Sequence, residues 1–492
     1  LPLSEIYEVA TFYAHFNIVK DSKDYNPVNV VRVCESLTCE LFGAHKLLQD
    51  IKKLENKNIK VVPGPCMGRC NVAPTVCVGK NYVDEANFDK VKKTIDEKNF
   101  DPFIPDYINL SSYKKNGGYD IANKIKNGVI SKKQVLDSLN ESGLKGKGGA
   151  GFPTGKKWEI VSNYNGKKYV AVNGDEGEPG TFKDRSYLES DPHRFLEGAL
   201  IASYFINAQK VYIYMRDEYP TVIKILLDEI NKMEDEEIIP KDFFIVRRGA
   251  GAYICGEESA MIESIEGKRG LPRHRPPYVA EIGLFGCPTL TNNLETLFWV
   301  RDIIEKGAKW FAEKGSNGNK GFHSFSVSGR VKNPGVKVAP AGITIQQLID
   351  EYCDGMADGH TFKGYLPGGA SGGILPATMN DIPLDYGSKE LMDAGCFLGS
   401  AAVVVLSDHD NMKDVALNLL KFFEEESCGQ CTPCRSGTEK TVKLMQEKNW
   451  NKEKLKDLSE VMAQASICGL GQAATNPLNS VLKYFSNEIT YD

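Results

Sequence analysis

Gly143–Trp158 reads GLKGKGGAGFPTGKKW, and after a short polar spacer Tyr169–Arg185 reads YVAVNGDEGEPGTFKDR. The first stretch packs five glycines into Gly143–Gly151, enough backbone freedom for the chain to close on a bulky anion with main-chain N–H groups facing it. The second predicts a strand, Tyr169–Val172, running into a turn that carries Asn173, Asp175, Glu176 and Glu178. Loops at strand ends are where such polar groups do chemistry. Together the two halves predict a phosphate cradle beside a polar cleft in an α/β fold. A glycine-rich turn with no ligand is the plainer alternative for the first half.

Gly146, Gly148 and Gly151 satisfy G-x-G-x-x-G, but a dinucleotide fingerprint needs a strand before it. The preceding segment, Ile121–Glu141, has a helical pattern, so the ordinary Rossmann inference fails on context. Downstream the pattern alternates: helix His193–Ile206, strand Lys210–Arg216, helix Tyr219–Met233 and strand Phe243–Arg247. That alternation predicts a mainly parallel sheet covered by helices. GAGAYICGEESA at Gly249–Ala260 then opens another helix, where amides and the helix dipole favour a phosphate. Capping alone would account for one of Glu257 and Glu258. A third polar patch, TLTNNLETL, brings Asn292, Asn293 and Thr296, after the RPPY that holds Tyr278.

The cysteines supply the second theme. Of thirteen, eight fall in two groups, while Cys77, Cys255, Cys287, Cys353 and Cys396 are scattered singles that suit buried small hydrophobes. Residues 1–100 read as a small α/β unit: helix Ser4–Phe16, strand Asn29–Val33, helix Leu41–Leu54, strand Ile59–Val62, a strand near Thr75–Val78 and a helix from Asn87. Cys34 and Cys39 form a C-x4-C pair, and Cys66 and Cys70 a C-x3-C pair in a Gly/Pro-rich loop. Four thiolates on two loops suit a 2Fe–2S cluster, with zinc as the competing reading. Near the other end, CGQCTPCRSG places Cys428, Cys431 and Cys434 at C-x2-C-x2-C, with Cys468 in SICGLGQAA. Three near thiolates and one distant one suit a 4Fe–4S cube, and the lack of a nearby histidine disfavours zinc.

A formal net charge of −5 gives no basic footprint for nucleic acid, and no run approaches the roughly 20 apolar residues of a membrane span. An odd cysteine count without a secretory signal predicts metal ligation in a reducing compartment, hence a cytoplasmic location. The opening LPLSEIYEVATFY, with no Met, reads as though cut inside a domain. At 492 residues several domains are expected.

EVATFYAHF, the C-x4-C pair and GPCMGRCNVAPT resemble the thioredoxin-like 2Fe–2S subunit of respiratory complex I. From about Gly143 to Asn476 the motifs resemble the flavoprotein subunit of complex I and its relatives in NAD-linked hydrogenases and formate dehydrogenases. The resemblance implies an α/β multidomain protein: a thioredoxin-like 2Fe–2S domain (1–100), a linker (101–120), a Rossmann-like FMN- and NADH-binding domain (121–323), a β-grasp domain (324–410) and a C-terminal helical bundle with the 4Fe–4S cluster (411–492). The segment 324–410 is otherwise quiet and reads as a structural spacer.

By motif, the resemblance places FMN and nucleotide contacts on Gly146, Gly148, Gly149, Lys157, Asn173, Asp175, Tyr253, Gly256, Glu257, Asn292, Asn293 and Thr296. It places the nicotinamide between aromatic groups matching Phe152 and Tyr278, with Glu178 near its reacting end and Glu258 near the adenosine ribose. Two departures are Lys145 and Lys147, where the family carries arginines, and Ile160, where some members carry an aromatic. The implied activity is that of a diaphorase. A hydride brings two electrons and a cluster takes one, so a flavin stands between them. Glu178 is then a positioning and electrostatic group. The expected partners are other subunits of a redox complex, foremost of an NAD-linked hydrogenase or formate dehydrogenase. The alternatives are the NADH-input module of complex I, a non-catalytic scaffold subunit, and a zinc-stabilised nucleotide-binding regulator.

Overall fold

The computed structural model describes residues 2–19 and 29–491. In the N-terminal unit the strands Ile59–Gly64, Asn29–Cys34, Val76–Val78 and Asn81–Val83 lie side by side in that order, the first pair parallel and the rest antiparallel. Alternation turns Val31 and Val33 inward against Leu48, Ile51, Val61 and Val91. The first helix is Leu3–Phe12, shorter than expected. Beyond it the chain extends, and the amides of Ala14 and His15 donate to the carbonyls of Gly251 and Ala250 in the second glycine cluster. The expected helix Leu41–Leu54 is broken into Leu37–Leu41 and Ala44–Ile51 by Gly43, whose positive φ no helix accommodates.

The segment expected as a linker carries a helix, Leu110–Lys115. It is tied down by Tyr107 and the Leu110 amide, both donating to Glu229, and by Tyr113 donating to Glu197 (2.6 Å). The central sheet is wholly parallel and ordered Phe244–Gly249, Lys210–Arg216, Tyr169–Gly174, Thr289–Asn293. Val170, Ala171 and Val172 are all buried because helices cover both faces. Among these helices Pro192–Ile206, with Pro at its first position and Asp191 as cap, packs on Leu294–Lys306. The first strand lies between the second and the fourth, so chain direction reverses beside it. The carboxyl ends of Tyr169–Gly174 and Thr289–Asn293 therefore flank a topological switch point, where open α/β sheets bind ligands.

A five-stranded sheet follows, ordered Gly335–Pro340, Phe322–Gly329, Ala402–Ser407, Phe362–Leu366, Leu375–Pro376, with the pair Phe322–Gly329 and Ala402–Ser407 parallel. The last long strand inserted beside the first is the β-grasp arrangement. Helices Met412–Glu425, Thr432–Gln446, Lys452–Ala465 and Asn476–Tyr484 close the chain over a core that includes Leu419, Phe423, Met445 and Trp450.

Candidate functional site

The glycine loop is preceded by helix Lys132–Ser142 and followed by helix Thr154–Ser162, so no strand leads into it and the dinucleotide context is absent, as expected. Its base is closed by the Gly146 amide donating to Phe152 O (2.8 Å) and the Thr154 amide donating to Leu144 O (2.9 Å). That leaves Gly148 and Gly149 outside the pairing at its tip. Gly151 has φ +63°, and a Cβ there would lie 2.6 Å from the Tyr386 Cβ, so only glycine fits. The Lys147 amide donates to Thr296 Oγ1 (2.9 Å), which binds the loop to the third polar patch.

The two lysines turn away from the loop mouth. Lys145 Nζ donates to Asp385 (3.0 Å) and to the Tyr386 carbonyl. Lys147 Nζ donates to Phe322 O and to His323 Nδ1 (2.8 Å), and His323 Nε2 donates to Asp385 Oδ1 (2.6 Å). A lysine only donates, so Nδ1 accepts and the proton sits on Nε2. Burial pushes the Lys147 ammonium down to about 8 and His323 to about 4. The loop is thus anchored by the β-grasp domain, which is more than the spacer the sequence led us to expect.

At the switch point Asn173 Nδ2 donates to Gly256 O (2.8 Å), and the Asp175 amide to Asn173 Oδ1 (3.1 Å). Asn292 Oδ1 accepts from Trp158 Nε1 (3.0 Å). Asn293 caps Leu294–Lys306 and donates to Asp184 Oδ2 (2.7 Å). Asp184 and Glu295 share the buried Lys183. Asp175 is half-buried, with its Oδ2 atom buried and unpartnered, and desolvation drives its carboxyl well above the usual range. An acid with a buried free oxygen beside Gly256 of the second glycine cluster fits a hydroxyl-bearing phosphate ligand such as FMN.

Glu178 is held on both oxygens: Ser371 donates to Oε1 from its amide and hydroxyl (2.7 Å each), and Tyr253 Oη donates to Oε2. Burial still raises the Glu178 carboxyl. Glu257 caps Glu258–Ile265 through the Ser259 and Ala260 amides and pairs with Arg275. Glu258 meets Lys157 (3.2 Å), Thr291 (2.7 Å) and Arg275 (3.4 Å). Burial opposes its ionisation, but these neighbours hold the carboxyl below the usual range. Phe152 (43 % exposed) and Tyr278 (57 % exposed) present open rings to solvent.

Cys34, Cys39, Cys66 and Cys70 are all buried, with Cys66 Sγ 3.4 Å from Cys70 Sγ, and the neighbouring Cys39 and Cys66 thiols together with burial push the Cys34 thiol well above its usual range. Cys39 rides on the helix Leu37–Leu41, where we expected a loop. Cys428, Cys431, Cys434 and Cys468 line one cavity together with Tyr253, Phe423, Leu470 and Gly471. Cys431 sits at the N-terminal boundary of Thr432–Gln446 and Cys468 at that of Gly469–Ala473, so both thiols lie where a helix begins. Amides of Leu470 and Gly471 face Cys468, as suits an anionic cluster.

Among the described residues, neither cysteine group contains three ligand atoms all within 4.8 Å of one another. One zinc with bonds of about 2.3 Å holds its sulfurs roughly 3.8 Å apart. The cysteine sets are too open for that and fit multi-iron clusters.

The three parts meet. Tyr253 touches Glu178, lines the cysteine cavity, and stands edge-on to Phe422 (4.9 Å). Arg216, Glu218, Asp175, Tyr253 and Glu426 line a second, polar pocket with Pro65 of the 2Fe–2S loop. Gly68, at φ +63°, passes so close to Tyr219 that a Cβ would lie 2.1 Å from Tyr219 Oη. Ser371, Arg216, His323 and Asp385 escaped sequence reasoning because no local motif marks a partner that lies far along the chain.

Three family models match the chain: the Nuo51 FMN-binding domain over residues 139–302, the NADH-ubiquinone oxidoreductase-F iron-sulfur binding region over 414–492, and the thioredoxin-like [2Fe-2S] ferredoxin over 1–99. An F-type subunit of NADH-quinone oxidoreductase in Rhizobium meliloti (strain 1021) is 40% identical over 400 residues, spanning 78% of this chain and 94% of that protein. The F-type subunit of NADH-quinone oxidoreductase in Aquifex aeolicus (strain VF5) is 39% identical over 400 residues, spanning 78% and 91%. A chain of the NAD+-reducing [NiFe]-hydrogenase in its H2-reduced state superposes with TM-score 0.87 at 27% identity, covering 99% of this chain and 87% of that one.

Proposed function

Because the chain belongs to the family of F-type subunits of NADH-quinone oxidoreductase, and is an NADH dehydrogenase carrying FMN, a 2Fe–2S and a 4Fe–4S cluster, we propose that it works as the diaphorase module of an NAD-linked hydrogenase-type complex. The observation that carries this reading is the convergence on Tyr253, which joins Glu178 at the switch-point crevice to the Cys428/Cys431/Cys434/Cys468 cavity. FMN bound there supplies two-electron chemistry toward NADH and one-electron chemistry toward the clusters.

The chain's residues bind and orient. The amides at Gly148 and Gly149, on a loop whose base the Gly146 amide closes, and the side chains of Asn173, Asp175, Asn292, Asn293 and Thr296 border the flavin crevice, with Gly256 and Tyr253 on its other rim. Phe152 and Tyr278 offer faces to the incoming nicotinamide. Glu178, fixed by Ser371 and Tyr253, positions its reacting end and needs to accept no proton, because hydride transfer releases none from the nicotinamide carbon. Glu258, kept anionic by Lys157 and Arg275, accepts ribose hydroxyls and repels a 2′-phosphate. Cys34, Cys39, Cys66 and Cys70 hold the 2Fe–2S cluster, and Cys428, Cys431, Cys434 and Cys468 the 4Fe–4S cluster.

We divide the chain at 1–100, 101–120, 121–323, 324–410 and 411–492, a division supported by one sheet centred on each of the three sheet-bearing parts, with strand Phe322–Gly329 beginning two residues ahead of the third. The hydrogenase-type partner is supported by the coverage of 99% of this chain, both modules included, by one hydrogenase chain. A cytoplasmic place goes with it; among the described residues no helix is long and apolar enough to cross a membrane. Purification of the native complex tests the reading. A nickel-bearing partner is expected; molybdenum would point to formate dehydrogenase, a quinone-reactive membrane arm to complex I. Absence of flavin absorbance would leave a scaffold role.

A further inference from the structure

The strands Phe362–Leu366 and Ala402–Ser407 run antiparallel, with Phe362 paired to Ser407. Residues just before the first and just after the second are therefore neighbours at one end of the ladder. There His360, Asp408 and His409 bring three ligand atoms within 4.8 Å of one another, the one such group among the described residues. The two imidazole rings stand 4.6 Å apart. His360 is half-buried and the other two are exposed.

The surroundings hold the group in place. The Thr361 amide donates to Asp408 Oδ1 (2.9 Å) and the Asp408 amide donates back to Thr361 O (3.0 Å). The His409 amide donates to Ser407 Oγ (3.3 Å). The buried Ser407 hydroxyl donates to Asp410 Oδ2 (3.2 Å), so it accepts from His360 Nδ1 (2.9 Å). That bond puts the His360 proton on Nδ1 and leaves the Nε2 lone pair free, the outer-shell arrangement that prepares a histidine for a metal. The nearby cations are otherwise engaged: Arg330 with Asp410 and Lys363 with Glu488. Among the described residues no lysine or arginine pairs with Asp408.

We propose that His360, His409 and Asp408 form a surface site for a divalent transition-metal ion, zinc foremost, separate from the cysteine clusters. Two imidazoles and one carboxylate suit Zn2+, Ni2+ or Cu2+ over Mg2+ and Ca2+. Three protein ligands leave a coordination position open to water or to a donor from another chain. The site lies beyond Ser407, while the Ala402 end of the same strand packs at Gly180 beside the flavin crevice. The five steps between them span roughly 17 Å, so metal binding leaves NADH oxidation unaltered.

The test is equilibrium dialysis of the flavin- and iron-loaded protein against Zn2+, with zinc and iron counted together. One zinc per chain is expected beyond the iron, and Mg2+ at the same concentration is not taken up. His360→Ala with His409→Ala should abolish that zinc with iron and NADH-driven dye reduction unchanged, and Ser407→Ala should weaken it about tenfold. Equal zinc uptake by the double variant and the parent protein overturns the proposal, as does equal uptake of Mg2+. Should the double variant lose iron, Asp408→Asn replaces it, and parental zinc affinity in that variant is equally decisive against the site.

Discussion

Arg216 donates from Nη2 to the main-chain carbonyl of Cys66 at 2.6 Å and from Nη1 to the carbonyl of Glu176 at 2.5 Å. One buried guanidinium at the end of strand Lys210–Arg216 thus clasps the backbone of Cys66 to the turn that follows strand Tyr169–Gly174. It also pairs with Glu218 (3.2 Å).

Replacing Arg216 by Met should leave two carbonyls and the Glu218 carboxylate buried without their donor. Breaking a buried pair from one side costs about 3–5 kcal/mol. Urea unfolding followed at the visible absorbance of the 2Fe–2S cluster should show a loss of that size, and an unchanged midpoint would contradict the clasp.

Glu176 accepts from the Asp184 and Arg185 amides and from Tyr219 Oη. Burial, with Asp184 adding to it, nevertheless raises its carboxyl to about 7, from 4.5. The folded state therefore binds the extra proton between those values, and stability falls as pH rises from about 4.5 to 7, at up to about 1.4 kcal/mol per pH unit. Glu176→Gln should flatten that decline relative to the parent protein in melting curves taken across the window. Parallel curves would remove Glu176 as its source.

Glu258→Gln should raise NADPH oxidation relative to NADH, because the charge held by Lys157, Thr291 and Arg275 repels a 2′-phosphate. The readout is the ratio of kcat/KM for the two nucleotides. A ratio equal to the parent's would move the ribose site elsewhere.

Cys434→Ser should cut iron from roughly six to roughly two atoms per chain, the 2Fe–2S cluster remaining. Flavin content should persist, since Cys434 stands in the helical part on the far side of Tyr253. Loss of all iron would mean that the two cysteine groups do not fill independently.

Much of this site is legible locally. The strand Tyr169–Gly174, the helix-flanked glycine loop and both cysteine groups announce themselves by period and spacing, because each is a contiguous run under one constraint. The tying partners do not. Ser371 meets Glu178 across 193 positions, and His323 meets Lys147 across 176, distances over which no periodicity operates. The switch point was hidden for the same reason: that Thr289–Asn293 pairs with Tyr169–Gly174 depends on sheet order, which composition does not encode. Asn81–Val83 went unseen because three residues are too short for a period-2 pattern to register.

Four side chains of the larger parts reach the small N-terminal unit in one manner: Arg216 to Cys66 O, Arg185 to Gly68 O, Arg330 to Leu41 O and Asn418 to Glu35 O. Each grips a carbonyl that every amino acid possesses. These four grips read the course of the backbone alone, whereas Gly68 against Tyr219, Thr38 at Ser328 and Leu37 in the core of the helical part make the rest of the joint depend on side-chain identity. None of these grips needs the covalent link between the two modules, so the joint is held by contacts that a continuous chain and a separate one can make alike.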